Sequence, residues 1–321
     1  MTLMEILKIV IPSALLSATP LIFTALGGIF SERSGIVNIG LEGLMIVGAF
    51  IGAVGTLFFQ HLGLGDGSPW LSILVAAVIG ALFSLLHALA SITLRADQTI
   101  SGVAINFLAL GLCVFLVKQL YQGSGQTPFI DNQIYKINIP LLSHIPILGP
   151  LLFSNVTYTS YIAIIMAFVV WYILFKTPFG LRLRSVGEHP AAADTLGIHV
   201  SRMRYLGVAL SGAFGGIGGA VYVVTIATNF GPTTISGQGF LALAAMIFGK
   251  WNPIGALGAA LFFGFAQSLS ITGQSIPLLK AIPNVYLLIA PYVLTILALT
   301  GFVGRAEAPK AVGIPYIKGN R

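Results

Sequence analysis

The sequence predicts an all-α polytopic membrane protein with about 8–10 transmembrane helices, some broken or re-entrant, in a single domain over residues 1–321. Of the 321 residues, 56% are hydrophobic and only 8% are charged, whereas a soluble domain carries roughly 25% charged residues. Apolar runs of about eighteen or more residues recur along the chain, each able to cross a hydrocarbon core as a helix. They are too long and too uniformly apolar for the alternating strands of a transmembrane β-barrel.

Eight of these apolar runs are long enough to be full spans, and one further run is not. The short run, 238–250, follows the sixth full run and is interrupted by glycines. It is predicted to be either a short or broken span or a re-entrant segment. The full runs are near 11–30, 38–59, 70–94, 99–121, 158–175, 205–228, 254–272 and 284–303.

Basic residues between the runs predict how the chain is oriented. If 238–250 crosses, the positive-inside rule places the larger basic group and the carboxyl terminus in the cytoplasm, with the amino terminus outside. If 238–250 is re-entrant, the last loops exchange sides. The larger group is Arg33, Arg95, Lys176, Arg182, Arg184, Arg202, Arg204, Lys250, Arg305, Lys310, Lys318 and Arg321, and the smaller is Lys8, Lys118, Lys136 and Lys280.

Two connections between the predicted spans are long, an external one at 122–157 and a cytoplasmic one at 176–204. The external connection is rich in proline, glycine and asparagine. Pro140, Pro146 and Pro150 favour an irregular lid or docking surface there over a helix. The cytoplasmic connection contains a clearer helix signal.

That signal is a short helix of about two turns that starts at Pro190. Proline suits a first helical turn, the three alanines that follow favour propagation, and Gly197 is placed to end the helix. Glu188, near its start, complements the helix dipole. A helix this short does not persist alone in water, so we expect it to pack against something.

A groove of a partner protein is one such neighbour. Leu196 and Ile198 would then be its apolar anchors, and Arg182 and Arg184 would flank them with charge. The alternative from the residues alone is a surface turn that lies on the membrane interface. Physical reasoning alone leaves both open.

Glu42 is an ionisable residue a few positions into the second span. It follows Asn38 by one helical turn, so both side chains share a face. A carboxylate at mid-depth costs about 2.5–3.5 kcal/mol on insertion scales, which favours a polar cavity or partner, and the glycines around it permit a helix break. The alternative is an interfacial glutamate paired with Arg33 or with a backbone amide.

Other polar residues are candidates for the substrate pathway. Asn106 in the fourth span is predicted to hydrogen-bond across helices or to substrate, while Asp97 before it reads as a helix-start residue. In the second half the candidates are Asn229, Gln238 and Gln267, beside glycine and proline interruptions.

The segments 34–49 and 237–253 form a possible pair of broken segments, one in each half of the chain. Short segments interrupted by glycine or proline at corresponding places of two halves point to a translocation site. Their internal similarity is weak, and the repeat is a hypothesis. We therefore name Asn38, Glu42, Asn106, Asn229 and Gln238 as substrate-pathway candidates.

Several other notable residues are predicted to have structural roles and not functional ones. His87 lies mid-span, where a buried histidine is more often a satisfied structural group than a proton carrier. Cys113, the only cysteine, is read as packing, and no metal site or disulfide is predicted within one chain. Small-residue helix packing is the preferred reading of the glycines Gly212, Gly215, Gly216, Gly218 and Gly219.

Missing motifs exclude several functions. The chain has no Gly-x-x-x-x-Gly-Lys-Ser/Thr phosphate loop, so it is not itself an ATPase, and no protease or hydrolase pattern appears. The net charge of +7 is spread between spans and does not indicate nucleic acid binding. An ion-driven secondary transporter that uses Glu42, Asp97 or His87 is the alternative to an externally powered one.

Three separated motifs carry a family resemblance, and the third consists of two nearby stretches. The stretch 179–193, FGLRLRSVGEHPAAA, with Gly197 and Ile198 resembles the ATPase-docking loop of bacterial ABC-importer permeases of the branched-chain amino acid and simple-sugar type. The stretches SGIVNIGLEG at 34–43, GQGFLALA at 237–244 and GKWNPIGA at 249–256 resemble the branch for simple sugars and purine nucleosides.

The resemblance implies a permease subunit of an ATP-driven importer, with nucleosides or simple sugars as substrates. Its implied partners are a second permease chain, an ATP-binding cassette ATPase that binds the ATP and Mg²⁺, an external solute-binding lipoprotein and membrane lipid. A bacterial plasma-membrane location follows. The implied coupling residues are Arg182, Arg184, Gly187, Glu188, Pro190, Ala192, Leu196, Gly197 and Ile198.

Overall fold

The computed structural model describes residues 3–140, 142–273 and 307–318, together with four isolated positions between 283 and 293. Apart from turns and one β-bridge between Ile137 and Val156, the regular structure of these residues is helical. The helices are α1 (Leu3–Arg33), α2 (Leu41–His61), α3 (Ser68–Ala88), α4 (Gln98–Leu120), α5 (Leu148–Leu152), α6 (Tyr158–Lys176), α7 (Pro178–Glu188), α8 (Pro190–Thr195), α9 (Val200–Tyr222), α10 (Gln238–Phe248) and α11 (Pro253–Thr272).

The predicted all-α membrane architecture is confirmed in the described residues. Seven helices, α1, α2, α3, α4, α6, α9 and α11, are long and apolar enough to cross a membrane, and each coincides with a predicted span. Two of them are extended by a π-helical turn, α3 through Leu89–Thr93 and α9 through Val223–Ala227. The eighth predicted span, 284–303, lies outside the described residues except for isolated positions.

Helix α9 packs directly against α1, α2 and α3 because its glycines leave no side chain in the way. A methyl group on Gly219 would lie 2.0 Å from the carbonyl oxygen of Met45 in α2. One on Gly212 would lie 2.3 Å from the carbonyl oxygen of Gly80 in α3. These backbone contacts confirm the prediction of small-residue packing.

The chain between α9 and α11 returns through the bundle without being helical at first. Thr228, with φ +61°, ends α9 in a left-handed conformation. Phe230 then packs against Phe50, at the middle of α2, with ring centroids 5.7 Å apart. Gly237 lies beside Glu42, in the first turn of α2. Between Phe230 and Gly237 the chain has therefore travelled along α2 from its middle to its first turn.

Helix α10 completes this crossing. Its 11 residues span only about 16 Å, and just beyond it the carbonyl oxygen of Lys250 accepts a hydrogen bond from Arg33 at the end of α1. Helix α11 runs back along α1, where the Ser268 hydroxyl donates to the carbonyl of Val10. The segment 238–250 is thus part of a broken span, which is the crossing alternative rather than the re-entrant one.

The basic residues predicted to be cytoplasmic gather at one end of the bundle wherever they are described. Arg33 lies 3.9 Å from Glu188 of α7, and Lys318 lies 3.9 Å from a carboxylate of α8. Arg95 and Arg202 line one cleft with Lys318. This clustering agrees with the predicted orientation, in which that end faces the cytoplasm. Arg305 and Arg321 lie outside the described residues.

Replacing Gly219 by alanine should destabilise the protein. The added methyl group would meet the Met45 carbonyl at 2.0 Å, and overpacking of this kind costs about 1–3 kcal/mol. Thermal unfolding of the purified protein in detergent should show a lower midpoint for Gly219→Ala.

Gly111→Ala is the matched control, because Gly111 lies in α4 with no atom within 4 Å of the added methyl group. Its midpoint should stay the same or rise, since alanine is the better helix former. Equal midpoints for the two variants would contradict the close packing of α9.

Candidate functional site

The first helix break lies between α1 and α2, at residues 34–40. Gly35 has φ +92°, and its amide donates to the carbonyl of Glu32 at 3.0 Å, which closes the last turn of α1. A glycine in a left-handed conformation is a common way to end a helix. The Ser31 hydroxyl donates to the carbonyl of Ile36 at 2.8 Å, so the chain within the break is held as well.

Glu42 joins this break to the second broken segment. One carboxylate oxygen accepts a hydrogen bond from the amide of Gly237 and the other from the amide of Gly239, both at 2.6 Å. These amides open α10, where helical N–H groups lack partners and the helix dipole is positive. A methyl group on Gly239 would lie 2.4 Å from the Cα of Glu42. The close contact requires glycine there.

The broken segments 34–49 and 237–253 therefore meet through one carboxylate. Of the partners predicted for an interfacial Glu42, the backbone amide is the one present. Arg33 instead donates to the carbonyls of Trp251 and Lys250. Glu42 is buried, and both of its oxygens are used within the chain.

Asn106 and Asn38 hold the two sides of the same break. The amide group of Asn106 donates to the carbonyl of Ile39 at 3.1 Å, and its oxygen accepts from the amide of Gly43 at 2.7 Å. Asn38 donates to the hydroxyl of Ser211 in α9 at 2.8 Å. Both candidates therefore bridge helices, which is the cross-helix role predicted for Asn106.

The backbone of Val37, within the break, is held by α3 and α4. The side chain of Gln98 accepts from the amide of Val37 at 2.7 Å, and one ring nitrogen of His87 lies 2.9 Å from the Val37 carbonyl. The other ring nitrogen lies 2.9 Å from the hydroxyl of Ser101. The structural reading of His87 is confirmed. Asp97 caps α4 by accepting from an amide one turn later at 2.9 Å, as predicted.

Sequence reasoning missed a second buried carboxylate, Glu32. It accepts a hydrogen bond from the indole nitrogen of Trp251 at 2.5 Å, and the carbonyl of Trp251 in turn accepts from Arg33 at 3.0 Å. This pair of contacts fastens the end of α10 to the end of α1. The sequence did contain a signal for Glu32. It is an acidic residue at the end of an apolar run, and a carboxylate in or near the membrane needs a polar partner, as Glu42 does.

Asn229 and Gln238 are partly exposed, as Asn106 is, but their side chains are hydrogen-bonded only to other side-chain amides. Gln238 accepts a hydrogen bond from the amide of Gln267 at 3.2 Å, as the predicted grouping of these residues allows. Asn229 donates to the side chain of Gln126 at 3.4 Å. These amides lie on either side of the non-helical chain that precedes α10.

Gln126 also lines a cleft of about 450 Å³ just beyond the end of α4. The aromatic rings of Tyr121 and Phe129 line the same cleft, together with Gln122. A site of this volume accommodates a small molecule. It combines stacking surfaces with amides that can donate and accept hydrogen bonds.

The short helix predicted at Pro190 is present as α8. The ring of His189 accepts a hydrogen bond from the amide of Ala192 at 3.3 Å and so caps the first turn. Gly197, with φ +82°, follows the helix end. Proline at the first position and glycine after the last are the two signals on which the prediction depended.

The longer helix before α8, α7, was not predicted from the sequence. The hydroxyl of Thr177 accepts from the amide of Gly180 at 3.3 Å, and Pro178 occupies the first helical position. The same cap and proline rule could have found it. Helices α7 and α8 together form the connection between α6 and α9.

The predicted coupling residues fall into an outward and an inward group. Leu196 is 81% exposed, whereas Ile198 is partly buried and packs against the core. Arg184 points inward, because it donates to the carbonyl of Leu174 and its guanidinium lies 4.7 Å from the ring centroid of Phe175. The exposed residues of this set are Arg182, Glu188, Ala192, Leu196 and Gly197.

Gly187 belongs to the inward group and connects α7 to the helix break. A methyl group on it would lie 2.2 Å from the carbonyl oxygen of Arg33, at the end of α1. The last turn of α7 therefore touches the first break directly. A displacement of α7 would therefore act directly on this break.

Replacing Glu42 by alanine should destabilise the junction, because two helix-start amides lose their acceptor. Hydrogen bonds to a charged group contribute about 1.5–3 kcal/mol each. We expect the thermal unfolding midpoint to fall in the order wild type, Glu42→Gln, Glu42→Ala, since glutamine keeps one acceptor oxygen. If Glu42→Ala abolished solute uptake with an unchanged midpoint, the carboxylate would act on the solute and not on the fold.

Comparisons with known proteins identify the family. Residues 10–299 match the model of the branched-chain amino acid transport system permease component. The chain is 65% identical to the guanosine ABC transporter permease protein NupQ of Bacillus subtilis, over 100% of both chains. It is 53% identical to the nucleoside ABC transporter permease protein NupC of Lactococcus lactis, over 99% of both.

A more distant relative is the guanosine ABC transporter permease protein NupP of Bacillus subtilis. It is 25% identical over 83% of this chain and 74% of its own length. The family match, the two long alignments and the bundle of apolar helices agree with one another, and they give no support to an ion-driven secondary transporter. The chain belongs to the branched-chain amino acid transport system permease family, and it is a multi-pass permease subunit of an ATP-driven ABC importer in the bacterial plasma membrane.

Proposed function

We propose that this permease subunit imports nucleosides. The observation that carries the proposal is the 65% identity to a guanosine permease across the full length of both chains. The second relative, at 53% identity, is also a nucleoside permease. Simple sugars, the other substrate class that the motifs suggested, are the competing assignment.

The chemistry of the candidate pathway supports a neutral, ring-bearing solute. Asn229, Gln238 and Gln126 offer amides without a formal charge, and the cleft that contains Gln126 adds the rings of Tyr121 and Phe129. Amides can pair with the donors and acceptors of a nucleobase, and aromatic rings stack on its face. The buried carboxylates Glu32 and Glu42 already have partners within the chain.

Helices α7 and α8 provide the proposed docking surface for the ATPase, which would bind the ATP and Mg²⁺. Leu196 projects from the end of α8 with most of its surface exposed, and an isolated helix of 6 residues needs a partner. A groove that receives Leu196 would complete its burial. Arg182, exposed on α7, would supply flanking charge to the same interface.

The other proposed partners are a second permease and an external binding lipoprotein. NupQ and NupP are two different guanosine permeases of one organism, and both are similar to this chain. We therefore favour a heterodimer over a homodimer. The connection 122–157 presents exposed Phe129, Tyr135 and Ile147, and such apolar side chains suit the docking of a binding lipoprotein.

Uptake by cells that express the complete transporter should be specific for nucleosides. Labelled guanosine should enter in an ATP-dependent manner, and unlabelled nucleosides should compete while glucose and leucine should not. Gln126→Leu should raise the KM for guanosine about threefold to tenfold, because one hydrogen bond contributes about 0.5–1.5 kcal/mol.

Gln119→Leu is the matched control for this substitution, since Gln119 is exposed at the end of α4 and does not line the cleft. Its KM should equal that of the wild type. Competition by glucose alone would favour the sugar assignment. Equal KM values for the two leucine variants would remove the cleft from the pathway.

Leu196→Asp should uncouple the transporter by weakening its hold on the ATPase. Burial of a leucine contributes about 1.5–3 kcal/mol, so association of the ATPase with purified permease should weaken about tenfold or more. The measurements are co-purification of the ATPase and uptake in proteoliposomes. Ile198→Asp is a poorer test, because Ile198 also packs against the core.

Leu62→Asp is the control. Leu62 is also an exposed leucine, at 60%, but it lies just after the last residue of α2, away from α7 and α8. This variant should keep both the ATPase and uptake. Coupled uptake by Leu196→Asp at wild-type levels would show that α8 is not the docking helix.

A further inference from the structure

The carboxyl-terminal segment 307–318 lies across two parts of the structure that are distant in sequence. The amide of Ala311 donates to the carbonyl of Gly187, in the last turn of α7, at 2.9 Å. Two residues later the amide of Gly313 donates to the carbonyl of Gly35, in the break between α1 and α2, at 3.3 Å. One short piece of chain is thus bonded to the proposed docking helices and to the helix break.

The side chain of Arg204, in α9, binds this segment. Its guanidinium donates to the carbonyl of Ile314 at 3.1 Å, although the residue lies in the first turns of α9 and is only 1% exposed. A methyl group on Gly35 would lie 2.9 Å from the same guanidinium. A buried charge needs a compensating partner, and removing that partner is costly. The guanidinium is therefore hydrogen-bonded to the segment 307–318 and lies against the helix break.

Further contacts tie the segment to α7 and α8. The amide of Lys310 donates to the carboxylate of Glu188 at 3.4 Å, and the same carboxylate lies 3.9 Å from Arg33 at the end of α1. Lys318 lies 3.9 Å from Asp194 in α8. The side chain of Lys318 is 81% exposed, so this last pair adds little to the attachment. The attachment therefore depends on the hydrogen bonds that residues 310–314 make with Glu188, Gly187, Gly35 and Arg204.

We propose that residues 307–318 form a strap that transmits movement of α7 and α8 to the break between α1 and α2, with Arg204 as its positioning residue. The proposal rests on the docking of the ATPase at α8. A segment that is hydrogen-bonded to both Gly187 and Gly35 must move with α7 and with the break together. The break adjoins Glu42, which holds the start of α10. Displacement of α7 would thereby reach the second broken segment.

Two truncations of the chain test the strap within the complete, assembled transporter. A chain that ends at Pro309 lacks every contact of the strap described above, whereas a chain that ends at Ile317 loses only the exposed Lys318 pair and the residues after it. The measurements are the amount of ATPase bound, the rate of ATP hydrolysis with loaded binding lipoprotein, and guanosine transported per ATP.

The Pro309 truncation should retain ATPase binding and lower the solute transported per ATP about tenfold, a factor that corresponds to ~1.4 kcal/mol. The Ile317 truncation should match the full chain. Equal transport per ATP in all three chains would overturn the strap.

Arg204 provides a second test that does not depend on the shortened chain assembling. Arg204→Met should lower transport per ATP, and Arg204→Lys, which keeps the charge but not the planar fork, should restore part of it. Wild-type transport per ATP in Arg204→Met would overturn the proposal even if the Pro309 truncation fails to assemble.

Leu196→Asp, measured in the same membranes, separates the two proposals. If Leu196→Asp stays coupled, the docking proposal fails. If Leu196→Asp uncouples while both the Pro309 truncation and Arg204→Met stay coupled, the strap alone fails.

Discussion

The hydrogen bonds between Glu42 and the start of α10 are the constraint on which the rest of the site depends. Neither broken segment could remain at this depth if its backbone groups were unsatisfied, because irregular backbone in a membrane must find partners within the protein. The carboxylate takes the two amides that a short helix cannot satisfy for itself. The helix dipole in turn stabilises a charge that would otherwise be expensive there.

This constraint divides the polar residues inside the bundle by role. Asn38, Asn106 and His87 hold the break through hydrogen bonds to other parts of the chain. Asn229 and Gln238 are partly exposed and bonded only to other amides, so a solute can compete for them. The distinction is physical, since a group that already has well-oriented partners has little to gain from a ligand.

Features of the fold and site that depend on neighbouring residues could be predicted from the sequence, whereas features that depend on residues far apart in the chain could not. The spans, α8 and its end at Gly197 were predictable, because periodicity, proline and glycine act locally. Helix α7 was equally local and was overlooked. The partner of Glu42 was not predictable, since Gly237 lies 195 residues away and either amides or a cation would have satisfied the same carboxylate. The inward turn of Ile198 likewise depends on packing that no short pattern records.

The glycine surface of α9 restricts how such a molecule can change shape. Where main chains touch at Gly212, Gly216 and Gly219, there are no intervening rotamers to readjust, and neither rolling nor sliding of one helix past another is free. Helices α2, α3 and α9, which meet at these glycines, are therefore expected to move together. A change of shape would then fall on the irregular segments, the break at 34–40 and the chain before α10, rather than on the contacts between these helices.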